Sequence, residues 1–96
     1  MKYLFIGSQS EQRFEMLLSL TRINSDDVVA ALYDHVVKGA NESSAAIMNG
    51  ISMSNFNRAF KKLDTVAATV EQIKEIDLRK LKSVKRQQTK QHTGDL

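Results

Sequence analysis

The apolar residues Val28, Val29, Leu32, Tyr33, Val36 and Val37 recur at i, i+4 and i+8 and stop two residues before Gly39. That spacing follows the 3.6-residue turn of an α-helix, not the two-residue alternation of a strand. β-branched valines lower helix propensity, yet a strand would scatter this stripe over both of its faces. "NSDD", residues 24–27, supplies a start signal with two acids where the helix dipole favours them, and Gly39 supplies a stop. The chain contains no proline, so no residue in it forces a helix to break. The reading is all-α.

Three further helices follow from the same punctuation. Ser8 and Glu11 have capping-box spacing ahead of Phe14, Leu17, Leu18 and Thr21. Asn41 is placed to cap a short third helix through Ala45, Ala46 and Ile47, ending at Asn49-Gly50. Ser52 is placed to cap a fourth, which carries Phe56, Ala59, Phe60, Leu63, Val66, Val70 and Ile73 on one side. Nothing between residues 52 and 88 decides whether that span is one helix or two.

Ninety-six residues, 42% of them apolar, make one small domain with little core to spare. There is no cysteine, which excludes a disulfide scaffold and a thiolate zinc site and suits a reducing compartment. "MKYLFI" is too short an apolar run for a signal peptide, and no stretch approaches the length of a membrane span, so a cytoplasmic protein is expected. The net charge of +3 is unevenly distributed. Residues 1–78 hold 8 Lys and Arg against 10 Asp and Glu, whereas residues 79–96 hold 6 against Asp95 alone. The chain is therefore divided into a helical domain, 1–78, and a basic tail, 79–96, that is expected to fray. A basic end of this kind suits a polyanion.

The stretch "NGISMSNFNRAFKKL", residues 49–63, combines the apolar stripe of the fourth helix with an opposite face that is polar and basic. No acid occurs between Glu42 and Asp64. A short helix, a glycine turn and a second helix are the parts of a helix-turn-helix. Ala46 falls where the two helices come closest, Gly50 at the turn, Ile51 at the buried position after it, and Phe56 and Ala59 at the inward positions of the second helix. Asn49 stands where a larger apolar residue is usual.

Beyond the motif, "GSQSEQRFEMLLSL", "DHVVKG" and Phe56-x-x-Ala59-x-x-x-Leu63 resemble the PapB-type regulators of adhesin and fimbrial operons, over about Leu4 to Ile73. The turn helix "NESSAAIMNG" departs from that family in having few charged residues, and the tail past residue 78 lies outside the shared region. The resemblance implies a small helical protein that binds double-stranded DNA, at A/T-rich sites with minor-groove contact, oligomerises on it and regulates its own operon. It makes Ser52, Ser54, Asn55, Asn57, Arg58, Lys61 and Lys62 the DNA-facing candidates. Asn and Arg can pair with adenine and guanine edges, while Lys61 and Lys62 are better placed for phosphates. An oligomer is expected because one short module with few phosphate contacts binds weakly at physiological salt. The first helix or the valine stripe would supply the surface for assembly.

Other residues carry no chemistry. Asp34 and His35 are adjacent and point about 100° apart on a helix, so His35 is expected at the surface or at a subunit contact. His92 has no partner at metal spacing. Met16, Met48 and Met53 are expected to pack, Met53 with some exposure. With no nucleophile beside a base, no phosphate loop and no metal cluster, neither an enzyme, a cofactor, a metal nor a small-molecule substrate is expected. The alternative reading is a helical protein–protein interaction module, an anti-repressor or adaptor, with residues 63–84 as a coiled-coil arm. Leu63, Val66, Val70 and Ile73 keep 3-4-3 spacing, but Asp77 breaks the register.

Overall fold

The computed structural model describes residues 3–91, with side chains described for residues 3–81. Four helices follow one another: α1, Glu11–Ser19; α2, Asp26–Val36; α3, Glu42–Met48; and α4, Met53–Gln91. Residues 53–88 thus belong to a single helix, with Ser52 just before its start. At about 1.5 Å per residue its 39 residues span roughly 58 Å, which accounts for the 63 Å long dimension of the molecule. The helix runs on past residue 78, so the segment expected to fray begins in helical geometry. The side chains of Lys82, Lys85, Arg86 and Lys90, and the whole of His92, lie outside the described residues.

The start of α1 differs from the capping-box expectation. Ser10, not Ser8, is the cap: its side chain accepts from the Arg13 N–H at 3.1 Å. Ser8 accepts instead from the Phe5 N–H at 3.1 Å, within a turn centred on Gly7. The physical reason lies in the preceding segment, which is committed elsewhere. Gly7 N–H donates to the His35 carbonyl and Gln9 N–H to the Val36 carbonyl, each at 2.9 Å. These bonds satisfy carbonyls at the end of α2 and postpone the start of α1. A Cβ on Gly7 would lie 3.3 Å from the Gly39 Cα, and both residues have positive φ. Only glycine suits that crossing.

The core lies where α2, α3 and the first half of α4 meet, with α1 and Leu4 closing it. From α2 it takes Ala31, Leu32 and Val36, from α3 Ala45 and Ala46, and from α4 Phe56, Ala59, Phe60, Leu63 and Ala67. Each fully buried Phe or Leu contributes about 1.5–3 kcal/mol of transfer free energy. Val28, Val29, Tyr33 and Val37 pack at its margin, so the valine stripe is largely spent on the chain's own core. Of the two surfaces considered for assembly, only α1 and its C-cap keep large apolar side chains in water, Met16 and Leu20.

His35 corrects the sequence expectation. It is only 6% exposed and stands edge-on to Phe56 and Phe60, with ring centroids 5.6 Å away in both cases. Its Nδ1–H donates to the Ala40 carbonyl at 2.8 Å, since a carbonyl can only accept. The position follows from the helix period, because His35 lies three residues after Leu32 and on the same arc. Two of the methionines also differ, Met16 and Met48, whereas Met53 has the exposure expected of it. Met16 and Met48 are about two-thirds exposed, because α1 and α3 are short and bury only one narrow arc each.

Candidate nucleic-acid interface

The helix-turn-helix geometry is built from α3, the turn at residues 49–52 and the start of α4. Gly50 N–H donates to the Ile47 carbonyl at 3.1 Å and Ile51 N–H to the Ala46 carbonyl at 3.0 Å. This paired arrangement, with Gly50 at φ 69°, ends α3 in a Schellman motif. Ala46 is buried against the neighbouring helices, and Ile51 is half-buried after the turn. Asn49 is accounted for by its amide. The Nδ2 group donates to the Asp34 carboxylate at 2.9 Å and to the Ala45 carbonyl at 2.8 Å. A polar residue thus fastens the turn to α2 where an apolar one would merely pack.

All seven candidates, Ser52, Ser54, Asn55, Asn57, Arg58, Lys61 and Lys62, are exposed. Ser52 caps α4, accepting from the Asn55 N–H at 3.1 Å, so its hydroxyl oxygen is already engaged. The other six form two rows at i, i+3, i+7: Ser54, Asn57 and Lys61, and beside them Asn55, Arg58 and Lys62. Side chains at that spacing share a helix face. The Arg58 guanidinium donates to the Asn55 amide oxygen, which aligns one charged and one neutral hydrogen-bonding group along the same row. Ile47, 74% exposed, and Met48 lie on α3, N-terminal to this face.

The fold adds a residue that the spacing of α4 could not supply. Arg22, in the connection between α1 and α2, lines a cleft of about 560 Å³ together with Arg58, Lys61, Lys62 and Val66. A smaller cleft of about 220 Å³ joins Arg22, Asn24 and Ser25 to Asn55, Arg58 and Lys62. A single arginine between Thr21 and Ile23 has no periodic signature, so only the approach of two remote segments reveals it.

The remaining charged contacts are structural. Arg13 reaches from α1 to Glu71 of α4 at 2.6 Å and steadies itself on the Gln9 side chain at 2.8 Å. The hydrogen bond from Arg13 holds the Glu71 carboxyl below its ordinary range, against a smaller desolvation effect, and Lys74 at 3.4 Å adds to the lowering. Among the described residues no group of His, Asp and Glu is arranged to hold a metal ion, and no helix is long and apolar enough to cross a membrane.

Comparison with known proteins places this architecture. The chain is 33% identical over 64 residues to the F1845 adhesin operon regulatory protein of Escherichia coli, a match covering 67% of this chain and 75% of that protein. It is 31% identical over 67 residues to the AFA-III adhesin operon regulatory protein of the same organism, covering 70% and 66%. Its fold is similar to the crystal structure of FocB from E. coli, with a TM-score of 0.72 and 25% identity over 76% of this chain and 83% of that one. Residues 1–76, which end within α4, match the family described as adhesin biosynthesis transcription regulatory protein. By that match, which covers most of its length, the chain belongs to the PapB family of transcription regulators.

Proposed function

We propose that this regulator acts by binding duplex DNA near the promoter of its own adhesin or fimbrial operon, as an oligomer and with preference for A/T-rich sequence. The observation that carries the reading is the outer face of α4 behind the glycine turn. There a row of Asn55, Arg58 and Lys62 runs beside Ser54, Asn57 and Lys61, all exposed, and no acid occurs between Glu42 and Asp64. Ser52, Ser54, Asn55, Asn57, Arg58, Lys61 and Lys62 are the DNA-facing residues, Asn55 and Arg58 toward bases, Lys61 and Lys62 toward phosphates. Residues 1–78 form the binding domain, and the basic segment 79–96 adds sequence-independent attraction. The site of action is the cytoplasm.

The test is a gel-shift series with the DNA upstream of the protein's own gene, competed by unrelated duplex. Arg58→Ala is expected to lower specific affinity by about 1–3 kcal/mol if the guanidinium meets a base edge. Unchanged binding by a folded Arg58→Ala protein removes Arg58 from the interface.

A second reading, a helical interaction module, has one observation in its favour. Ile73, Ile76, Leu78 and Leu81 are exposed along the projecting part of α4, the two leucines lining a shallow cleft with Phe5. Loss of self-association on polar substitution of these residues, with no DNA binding by the parent protein, would favour it.

A further inference from the structure

The cations of this protein are distributed unevenly between paired and unpaired environments. Arg13 and Lys74 meet Glu71, Arg79 meets Glu75, and Lys38 lies over the Tyr33 ring. Among the described residues Lys80, on the projecting part of α4, meets no carboxylate within ion-pair distance; nor do Arg22, Lys61 and Lys62, beside which Arg58 is bonded to a neutral amide. These four come together around a single cleft, floored in part by Val66 and without an acid in its lining. Asp26 and Asp27, in the first turn of α2, are exposed and line neither cleft.

The position of Arg22 is held from both sides. Thr21 Oγ1 donates to the Leu18 carbonyl at 2.7 Å and accepts from the Ile23 N–H at 3.2 Å. Ile23 is half-buried against the core. The backbone on either side of Arg22 is therefore fixed, and its own side chain projects into solvent at the cleft mouth. Like charges gathered without a counter-charge repel one another, and an anion with several acceptor oxygens relieves that repulsion.

We propose that the cleft between the α1–α2 connection and α4 is a phosphate seat, in which Arg22 grips the DNA backbone from one side while Arg58, Lys61 and Lys62 hold it from the other. The proposal rests on the DNA-binding reading of the α4 face and extends it to a second chain segment. It makes Arg22 a positioning residue: it sets how the duplex lies against α4 and carries no base information.

Four full-length proteins decide it: the parent, Arg22→Ala, Arg22→Lys and Arg58→Ala. Each is titrated with own-operon DNA and with an unrelated duplex at several salt concentrations. Arg22→Ala is expected to melt with the parent, since the side chain is exposed and unpaired. It should weaken both duplexes severalfold and by the same factor, and make the slope of log affinity against log salt shallower by about 0.9. Arg22→Lys, which keeps the charge, should retain the parent slope. Parent affinity and slope in Arg22→Ala, with binding impaired in Arg58→Ala, would overturn the seat and leave the α4 face standing. Unchanged binding in both would remove the α4 face, and the seat with it. Inorganic pyrophosphate, followed through the Thr21 and Arg22 amide signals, separates the two sources of phosphate. Weak binding displaced by duplex is expected, whereas tight, Arg22-dependent binding that duplex does not displace would assign the cleft to a free phosphoanion and overturn the proposal.

Discussion

One carboxylate oxygen of Asp64 accepts the backbone N–H of Leu4 at 2.9 Å and that of Tyr3 at 2.7 Å. Asp64 is the first acid after Glu42, beyond the acid-free interval of residues 43–63, and it is committed to the start of the chain rather than to the cations of α4. The basic face therefore keeps its charge. The N-terminal segment in turn delivers Leu4 into the core, where it is 1% exposed.

Asp64→Ala should accordingly destabilise the fold by about 1–3 kcal/mol, because two partly buried N–H groups lose a charged acceptor. Thermal melting checks this. Since the residue does not meet the basic side chains, the salt slope of DNA binding should stay with the parent wherever the protein is folded. A melting temperature equal to the parent's would show that the Asp64 hydrogen bonds do not hold the N-terminal segment in place.

Ala46→Leu places a larger side chain where α3 is buried against its neighbours. Overpacking a tight helix contact costs about 1–3 kcal/mol, and the displacement falls on the turn that orients α4. Melting temperature and DNA affinity should drop together. Retained melting would mean that α3 can move aside without cost.

Acid stability should depend on Glu71. Its folded-state carboxyl is held low by the hydrogen bond from Arg13, so the folded protein ionises it more readily than the unfolded chain. Its contribution is therefore present above the ordinary carboxylate pKa of about 4.3 and is lost as pH falls through the lowered folded value. Glu71→Gln should be less stable than the parent at neutral pH, and the difference should narrow below about pH 4. Parallel stability curves across that window, from denaturant melts at each pH, would show that the pair between α1 and α4 carries no pH dependence.

Deletion of residues 79–96 removes Arg79, Lys80 and four further cations. Point charges on phosphates carry no base information, so specific and unrelated DNA should weaken by similar factors. The salt slope should become shallower by a few units, each neutralised phosphate contributing about 0.9. The fold should survive, since the packed core ends at Ala67 with Val70 at its margin. An unchanged slope together with lost self-association would instead assign the segment to assembly.

The helices and their punctuation were legible in the sequence because they depend on local chemistry. The stripe from Val28 to Val37, the caps at Asn41 and Ser52 and the stop at Gly50 each act within one or two turns, and each stands where its spacing places it. The outward set from Ser54 to Lys62 was legible for the same reason: with Phe56, Ala59, Phe60 and Leu63 inward, the helix period leaves those positions in water. What the sequence could not show depends on which remote segments meet. Ser8 lost the cap of α1 to Ser10 because Gly7 and Gln9 bond to the end of α2. His35 became a core residue because α4 lays Phe56 and Phe60 against its ring. Arg22 became a neighbour of Arg58 because the α1–α2 connection folds back beside α4. Periodicity reports the face a residue occupies on its own helix, and only tertiary packing decides what that face meets.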